Sequence, residues 1–284
     1  MLGRGSFGEV YLADDKAVKA IKLKAWEEIQ SAVKELYVLR QNIEGCIRYH
    51  SSFYRENNKT LYIYMDLADG DLRRMQAPPG ASEQLLEAVY NLHSHNILHM
   101  DIKPENILVK GDRILLCDFG LSNPGGHFKT GTYVVSRWYR APELYFSKQT
   151  RMYYTSAMDA WSVGCVLYEI KHGHPLNNKM SFTFNIKDEM IKNLTSFHYK
   201  KRWTVAKCLG RAEPSCTDRV TLSPYYKTYY EEHPSKLKML EMAQRLLKSR
   251  CPDMTLLESA LLMDDIQDYK FEDDKLSFIK HFIH

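Results

Sequence analysis

Cysteines at metal-binding spacing are missing from this sequence. Its six cysteines, at 46, 117, 165, 208, 216 and 251, never form a C-x-x-C pair. That argues against a zinc site or a disulfide framework and for reduced thiols in an intracellular setting. Glycine and proline are also scarce, with 14 and 10 residues, too few for a collagen-like or disordered chain. The longest apolar run lies around 163–167, far short of the roughly 20 residues a membrane span needs. The opening Met1-Leu2-Gly3-Arg4-Gly5 has neither the apolar stretch nor the cleavage site of a signal peptide. The expected location is therefore inside the cell, in cytoplasm or nucleus. A net charge of +4 is mild, so neither nucleic acid nor membrane is expected as a partner. What remains is ordinary globular composition, 44% hydrophobic and 26% charged over 284 residues. That length builds one large domain, or two lobes sharing a cleft, around a sizeable core.

Periodicity divides the chain. Segments 9–13 and 17–23 alternate as strands around an Asp14-Asp15 turn. Spacing becomes helical over 26–39, where Ile29, Val33, Leu36 and Tyr37 share a face. Residues 61–65 read as a continuous apolar strand, and 74–82, with Pro78, Pro79 and Gly80, as a loop. Helices then dominate, one marked by Leu85, Val89 and Leu92 and another by Trp161, Cys165 and Tyr168. Between them 107–109 and 114–117 form two short strands joined by a Lys-Gly-Asp turn. The outline is a small sheet-rich lobe followed by a larger helical one.

Three motifs carry chemistry. Gly3, Gly5 and Gly8 lie in a hairpin whose bare backbone N–H groups can approach phosphate oxygens. A dinucleotide fold would need a helix after the last glycine; here Val10-Tyr11-Leu12-Ala13 continues as a strand, which suits a lid over ATP. The strand 17–23 carries Lys19 and Lys22 with opposite parity. With Lys19 inward, Ala17, Ile21 and Leu23 form an apolar inner row; with Lys22 inward, Lys24 follows it. The cost of burying unpaired charge prefers Lys19, and Lys22 stays the alternative. Glu35, inside the apolar face of the next helix, needs a cationic partner, and Lys19 is the natural one. The third motif is His99-Met100-Asp101-Ile102-Lys103-Pro104-Glu105-Asn106, followed by Asp118-Phe119-Gly120 and Ala141-Pro142-Glu143. The histidines at 93, 95 and 99 lack the spacing of a metal site.

In that order these motifs resemble the eukaryotic protein kinases, over about residues 2–265. The resemblance implies an α+β, bilobal protein kinase-like fold, with a small antiparallel β N-lobe carrying one helix and a larger, mainly helical C-lobe. It implies one domain over 1–284, with the N-lobe at 1–66 and the C-lobe at 67–284. It implies ATP and Mg²⁺ as cofactors and protein substrates as partners. Asp101 would accept the substrate hydroxyl's proton, Lys103 would steady the γ-phosphate, and Asn106 and Asp118 would hold the metal. Lys19, fixed by Glu35, would hold the α- and β-phosphates, with His99 and Phe119 packed inside. The nucleotide would also meet Leu2, Gly3, Gly5, Gly8, Val10 and Ala17, a gatekeeper Met65, the hinge backbone from Asp66 to Ala68, and Asp71 at the ribose.

The run Val134-Val135-Ser136-Arg137-Trp138-Tyr139-Arg140 is similar to the cyclin-dependent and mitogen-activated group, and with Lys103 it implies a Ser/Thr kinase. Residues 31–36 resemble that group's cyclin-facing helix, which implies a regulatory protein on the Glu35 helix. Trimmed loops resemble the reduced kinases of large DNA viruses, which would place the protein in a host cell. Three departures stand out. Met100 replaces the Arg that precedes the catalytic Asp, and Lys34 and Asn123 stand where two further basic residues complete a phosphate pocket. Activity independent of phosphorylation at Thr130, Thr132 and Tyr133 is therefore expected. Met254 stands where the family carries an Arg paired with Glu143, Arg250 being the substitute. Segment 179–234 is too divergent to align with the family. Two other classes compete: a pseudokinase scaffold, and a small-molecule kinase, against which the Ala-Pro-Glu segment argues.

Overall fold

The computed structural model describes residues 1–5, 8–23, 26–124, 137–146, 155–176, 182 and 184–214. Chain order opens with β1 (Gly3–Gly5), β2 (Gly8–Ala13) and β3 (Lys16–Lys22), then α1 (Trp26–Arg40), β4 (Tyr49–Arg55) and β5 (Thr60–Asp66). The five strands form one antiparallel sheet in the order β1-β2-β3-β5-β4. The Asp14-Asp15 turn joins β2 to β3 as the alternation predicts, with Asp14 at a left-handed φ of 54°. β2 and β3 pack so closely that a Cβ on Gly8 would lie 2.5 Å from the Ala20 carbonyl oxygen, which explains a glycine there.

α1 buries Ser31, Ala32, Glu35, Leu36, Val38 and Leu39. The face expected from Leu36 is present; the side chains of Ile29 and Val33 lie outside the described residues. The edge strand β4 has no counterpart in the sequence reading. Its Tyr-His-Ser-Ser-Phe-Tyr-Arg run lacks aliphatic residues, alternates only loosely between half-buried and exposed, and carries a bulge between Tyr49 and Ser51.

The second lobe follows with β6 (Gly70–Asp71), α2 (Ala81–Ser94), β7 (Ile97–Leu98), β8 (Ile107–Lys110), β9 (Arg113–Leu116) and β10 (Asn123–Pro124). Then come α3 (Pro142–Phe146), α4 (Ser156–His172), α5 (Glu189–Leu194) and α6 (Val205–Cys208). The loop expected over 74–82 ends two residues early, because Gly80 takes a left-handed φ of 73° and starts α2 at Ala81. α4 is the central element. All residues from Met158 through Leu167 are buried, and Trp161 is fully enclosed. A helix stretch buried on every face belongs in a core. The lobes are stitched behind the cleft: the Ile47 amide donates to Leu116 O at 2.8 Å, and the Leu116 amide donates to Gly45 O at 2.8 Å. Gly45, at φ 86°, lies against α2, where a Cβ would fall 2.5 Å from that of Ala88. Among the described residues, no helix is long and apolar enough to cross a membrane.

Candidate active site

The lysine ambiguity resolves through strand register. Lys19 faces Val10 on β2 and Ile63 on β5 and is buried at 6% exposure, whereas Lys22 is exposed. Lys19 Nζ donates to both carboxylate oxygens of Glu35 at 2.7 Å and to Asp118 Oδ1 at 2.8 Å. Burial by itself would lower the ammonium's pKa, but the two carboxylates outweigh it and hold Lys19 charged, its pKa well above the ordinary value. Asp118 shows the converse. Burial pushes its carboxyl up, and Lys19 more than reverses this, so the net shift is downward. The carboxylate nonetheless keeps 26% of its surface open, so it sits at the cleft wall and not in the core.

Asp101, Lys103 and Asn106 form a second cluster below the sheet. Lys103 Nζ donates to Asp101 Oδ2 at 2.6 Å. Asn106 Nδ2 donates to the Asp101 carbonyl at 2.8 Å and to its Oδ2 at 3.0 Å. With Nδ2 used as donor, Asn106 offers its side-chain oxygen; Asp118 offers the carboxylate oxygen not taken by Lys19. That donor set of hard oxygens fits Mg²⁺.

His99 supports the loop from inside. Its Nε2 donates to Cys117 O at 3.1 Å, its Nδ1 accepts from the Asp101 amide at 3.3 Å, and its ring lies 5.2 Å from that of Phe119. His93 and His95 are likewise spoken for, by Asp159 Oδ2 at 3.0 Å and Asn91 O at 2.8 Å. Among the described residues, no His, Cys, Asp and Glu group could hold a metal ion by itself.

The residues expected around a nucleotide fall on the β1–β2 hairpin and the residue before it, on β3, at the end of β5 and on the stretch from there to β6. Gly3 faces Val10 and Gly5 faces Gly8 across the β1–β2 hairpin, and the Leu2 amide donates to Val10 O at 2.7 Å. Ser6 and Phe7 lie outside the described residues. Ala17 pairs with Met65, which is buried, so the two flank one another at the hinge end of the sheet. The Asp66 amide donates to Arg48 O at 3.0 Å, and the Asp69 amide donates to Val109 O at 2.8 Å. Ala68 lies between these two anchors. The Asp66 carboxylate is engaged by His50 at 2.6 Å and Lys110 at 2.8 Å. Asp71 Oδ1 accepts from the amides of Arg73 and Arg74, at 3.0 and 3.1 Å.

Two supports escaped the sequence reading. Asp159, fully buried on α4, accepts the His99 amide at 2.8 Å and the Met100 amide at 2.9 Å. Those bonds secure Met100 at a left-handed φ of 68°, with its side chain in the core at 2% exposure. The readable signal was an acid in the first turn of a helix whose next two turns are almost wholly apolar. The second support is a partner of Glu143 that the sequence reading did not name. Arg202, with no exposed side-chain surface, donates to Glu143 Oε1 at 2.7 Å and Oε2 at 2.9 Å. It also donates to Ala157 O at 2.6 Å and Ser196 O at 3.1 Å, and its guanidinium lies 5.0 Å from the Trp161 ring centre. Position 202 provides this cation because the segment after α5 folds back under α4. Arg250 and Met254 lie outside the described residues, as do Thr130, Thr132, Tyr133, Ser136 and the Asn123 side chain.

Comparison with known proteins places these motifs in company. Residues 1–253 match the family described as protein kinase domain. The chain is 35% identical over 199 residues to serine/threonine-protein kinase 36 of Mus musculus, covering 62% of this chain and 14% of that protein. It is 28% identical over 306 residues to cyclin-dependent kinase 8 of Drosophila melanogaster, covering 93% and 64%. Against mitogen-activated protein kinase 15 of Rattus norvegicus it is 34% identical over 203 residues, covering 62% and 36%. The chain thus spans less than two thirds of the length of each of these relatives.

Proposed function

The chain belongs to the protein kinase family, and we propose from that premise that it transfers the γ-phosphate of ATP to Ser or Thr hydroxyls of protein substrates. One observation carries the reading: Lys19 of the sheet lobe reaches Glu35 on α1 at 2.7 Å and Asp118, 99 residues further along, at 2.8 Å. A phosphate-binding lysine, its anchoring carboxylate and a metal-ligand aspartate thereby share one cleft. Phosphoryl transfer needs positioning and charge neutralisation more than covalent help. Lys19 holds the α- and β-phosphates under the Gly3–Gly8 hairpin, with Leu2, Val10, Ala17 and Met65 as the apolar walls for the base. The backbone from Asp66 to Ala68 takes its polar edge, and Asp71 reaches the ribose. Asp101 orients the acceptor hydroxyl and takes its proton, and Lys103, bonded to Asp101 at 2.6 Å, meets the charge developing on the transferred group. Asn106 and Asp118 would hold Mg²⁺, which when bound would supply neutralisation of phosphate charge.

The lobe boundary belongs at 66/67, where the sheet ends. The protein works inside the cell, a setting that suits the free cysteines 46, 117, 165 and 208. A nucleotide-binding scaffold without efficient transfer is the second reading, favoured by the uncharged, buried Met100.

Incubation with γ-labelled ATP, Mg²⁺ and a mixed serine, threonine and tyrosine peptide library separates the two. Transfer to serine and threonine is expected. Asp101→Asn and Asp118→Asn should each lower it at least roughly 10²-fold while the protein stays folded. Absence of transfer by the wild-type protein, with ATP still bound, would select the scaffold.

A further inference from the structure

The net charge of +4 is mild, but it is unevenly spread. From Met190 to Ala212 the chain carries six lysines and arginines and no acid: Lys192, Lys200, Lys201, Arg202, Lys207 and Arg211. Both arginines are spent inside the fold, Arg202 on Glu143 and Arg211 on Glu87 at 2.6 and 2.7 Å. The four lysines are exposed, and none forms an ion pair with a described residue. Lys207 instead lies 4.7 Å from the centre of the Trp203 ring. Of the flanking acids, Asp188 pairs with Lys171 at 2.7 Å, Glu213 accepts from the Thr204 hydroxyl, and Glu189 lies at the far end of α5.

These lysines surround a loop closed at its base. The Trp203 amide donates to Asn193 O at 3.1 Å, so residues 193–203 leave α5 and return to it. Within the loop, Arg202 Nε donates to Ser196 O at 3.1 Å, tying it to the buried pair with Glu143. The Lys201 amide donates to His198 O at 2.8 Å and the Arg202 amide to Tyr199 O at 3.2 Å, which tightens the turn. At the tip five consecutive residues, Phe197 to Lys201, are exposed. Phe197 and Tyr199 keep 45% and 46% of their surface open. The Phe197 ring meets His198 edge-on at 5.5 Å and Phe182 at 6.1 Å, and Phe182 lies 5.9 Å from Trp161. Loops whose ends meet and whose own side chains fill them are compact and frequently functional. A loop held this firmly loses little conformational freedom on docking.

We propose that the loop 193–203 is a peripheral membrane anchor. Phe197 and Tyr199 enter the headgroup region of a bilayer, Lys200 and Lys201 bind its anionic lipids, and Lys192 and Lys207 add attraction from the loop's base. A bilayer interface takes aromatic rings at headgroup depth and draws basic residues to anionic lipid beside them. A nucleic-acid strand needs rings laid along a groove for successive bases, whereas these rings crown an exposed turn. Nothing in the loop spans the bilayer; it lies on the surface.

The test sediments the full chain with vesicles of phosphatidylcholine, with and without phosphatidylserine. Binding only to the vesicles containing phosphatidylserine is expected. It should fall when salt rises from about 0.1 M to about 1 M, which shortens the Debye length from about 10 Å to about 3 Å. Lys200→Ala should weaken partitioning about fivefold, ~1 kcal/mol, and adding Lys201→Ala should weaken it about as much again. Phe197→Ser should weaken it at least about tenfold, through lost apolar burial. If that variant fails to fold, since Phe197 touches Phe182, the lysine variants carry the test. Lys22→Ala combined with Arg113→Ala removes two exposed cations outside the loop. That pair should stay within about twofold of wild type, because charges beyond a Debye length are screened. Three results would overturn the proposal: equal sedimentation with both vesicle types, equal losses for the pair inside and the pair outside the loop, or tighter binding to a labelled single-stranded oligonucleotide than to phosphatidylserine vesicles.

Discussion

Replacing Arg202 with Ala probes the pair that the tertiary structure, and not the sequence, assigns to Glu143. The side chain has no exposed surface and makes four hydrogen bonds, two of them a fork onto Glu143 at 2.7 and 2.9 Å. Breaking a buried pair by deleting one partner costs about 3–5 kcal/mol, because the survivor is left buried and uncompensated. Glu143 retains 15% exposure, so water recovers part of its solvation and the lower end, about 3 kcal/mol, is expected. For a chain of this size that corresponds to a fall of about 6–12 °C in Tm. Arg202→Lys keeps the charge but loses the fork, and should cost less. Urea denaturation followed by tryptophan fluorescence is a natural assay, since Trp161 stacks on the guanidinium. A double-mutant cycle with Glu143→Gln isolates the pair and should show coupling above about 1 kcal/mol. The reasoning fails if Arg202→Ala shifts stability by less than about 0.5 kcal/mol, the scale of an ordinary surface substitution. It fails equally if Arg250→Ala, and not Arg202→Ala, couples to Glu143.

The remaining expectations concern the cleft and its supports. Lys19→Met should abolish phosphotransfer while Lys22→Met, on the exposed face of β3, keeps most of it; measured turnover in the opposite order would refute the strand register. Asp159 is pushed up by burial and pulled down further by its bond from His93 and by the Met100 amide, so its pKa lies below the ordinary carboxylate value. A depressed carboxyl stabilises the fold fully above its unfolded value of about 4 and loses that contribution as pH falls through the folded value. Urea midpoints of wild-type protein should therefore drop below about pH 4 more steeply than those of Asp159→Asn, and parallel curves would count against it. The triple variant Thr130→Ala, Thr132→Ala, Tyr133→Phe should keep turnover within about tenfold of wild type, ~1.4 kcal/mol of barrier, because Met100 is buried in the core. A larger loss would restore a phosphorylation switch.

Much of the site was legible because its parts are contiguous. The stretch from Asp101 to Asn106 folds back on itself within five residues, so Lys103 and Asn106 meet Asp101 through local geometry. Period-two alternation narrowed the inward lysine to Lys19 or Lys22, since a strand offers each residue only two faces; the cost of unpaired buried charge favoured Lys19, and the structure buries it. The Gly3–Gly8 hairpin and the α1 face bearing Glu35 were readable for the same reason. β4 was not, because an edge strand half open to water needs no apolar alternation.

The long-range pairs needed the tertiary structure. Arg202 lies 59 residues from Glu143, Asp159 lies 60 from His99, and Arg73 lies 96 from Glu169. Arginines and carboxylates are common along the chain, and nothing local distinguishes the one that will be buried opposite the other. Burial makes an unmatched charge costly, and which charges become buried is set by how α4 packs beneath the catalytic loop and the segment after α5. The sequence by itself determined the chemistry of the cleft; the packing of the helical lobe decided which distant side chains hold that chemistry in place.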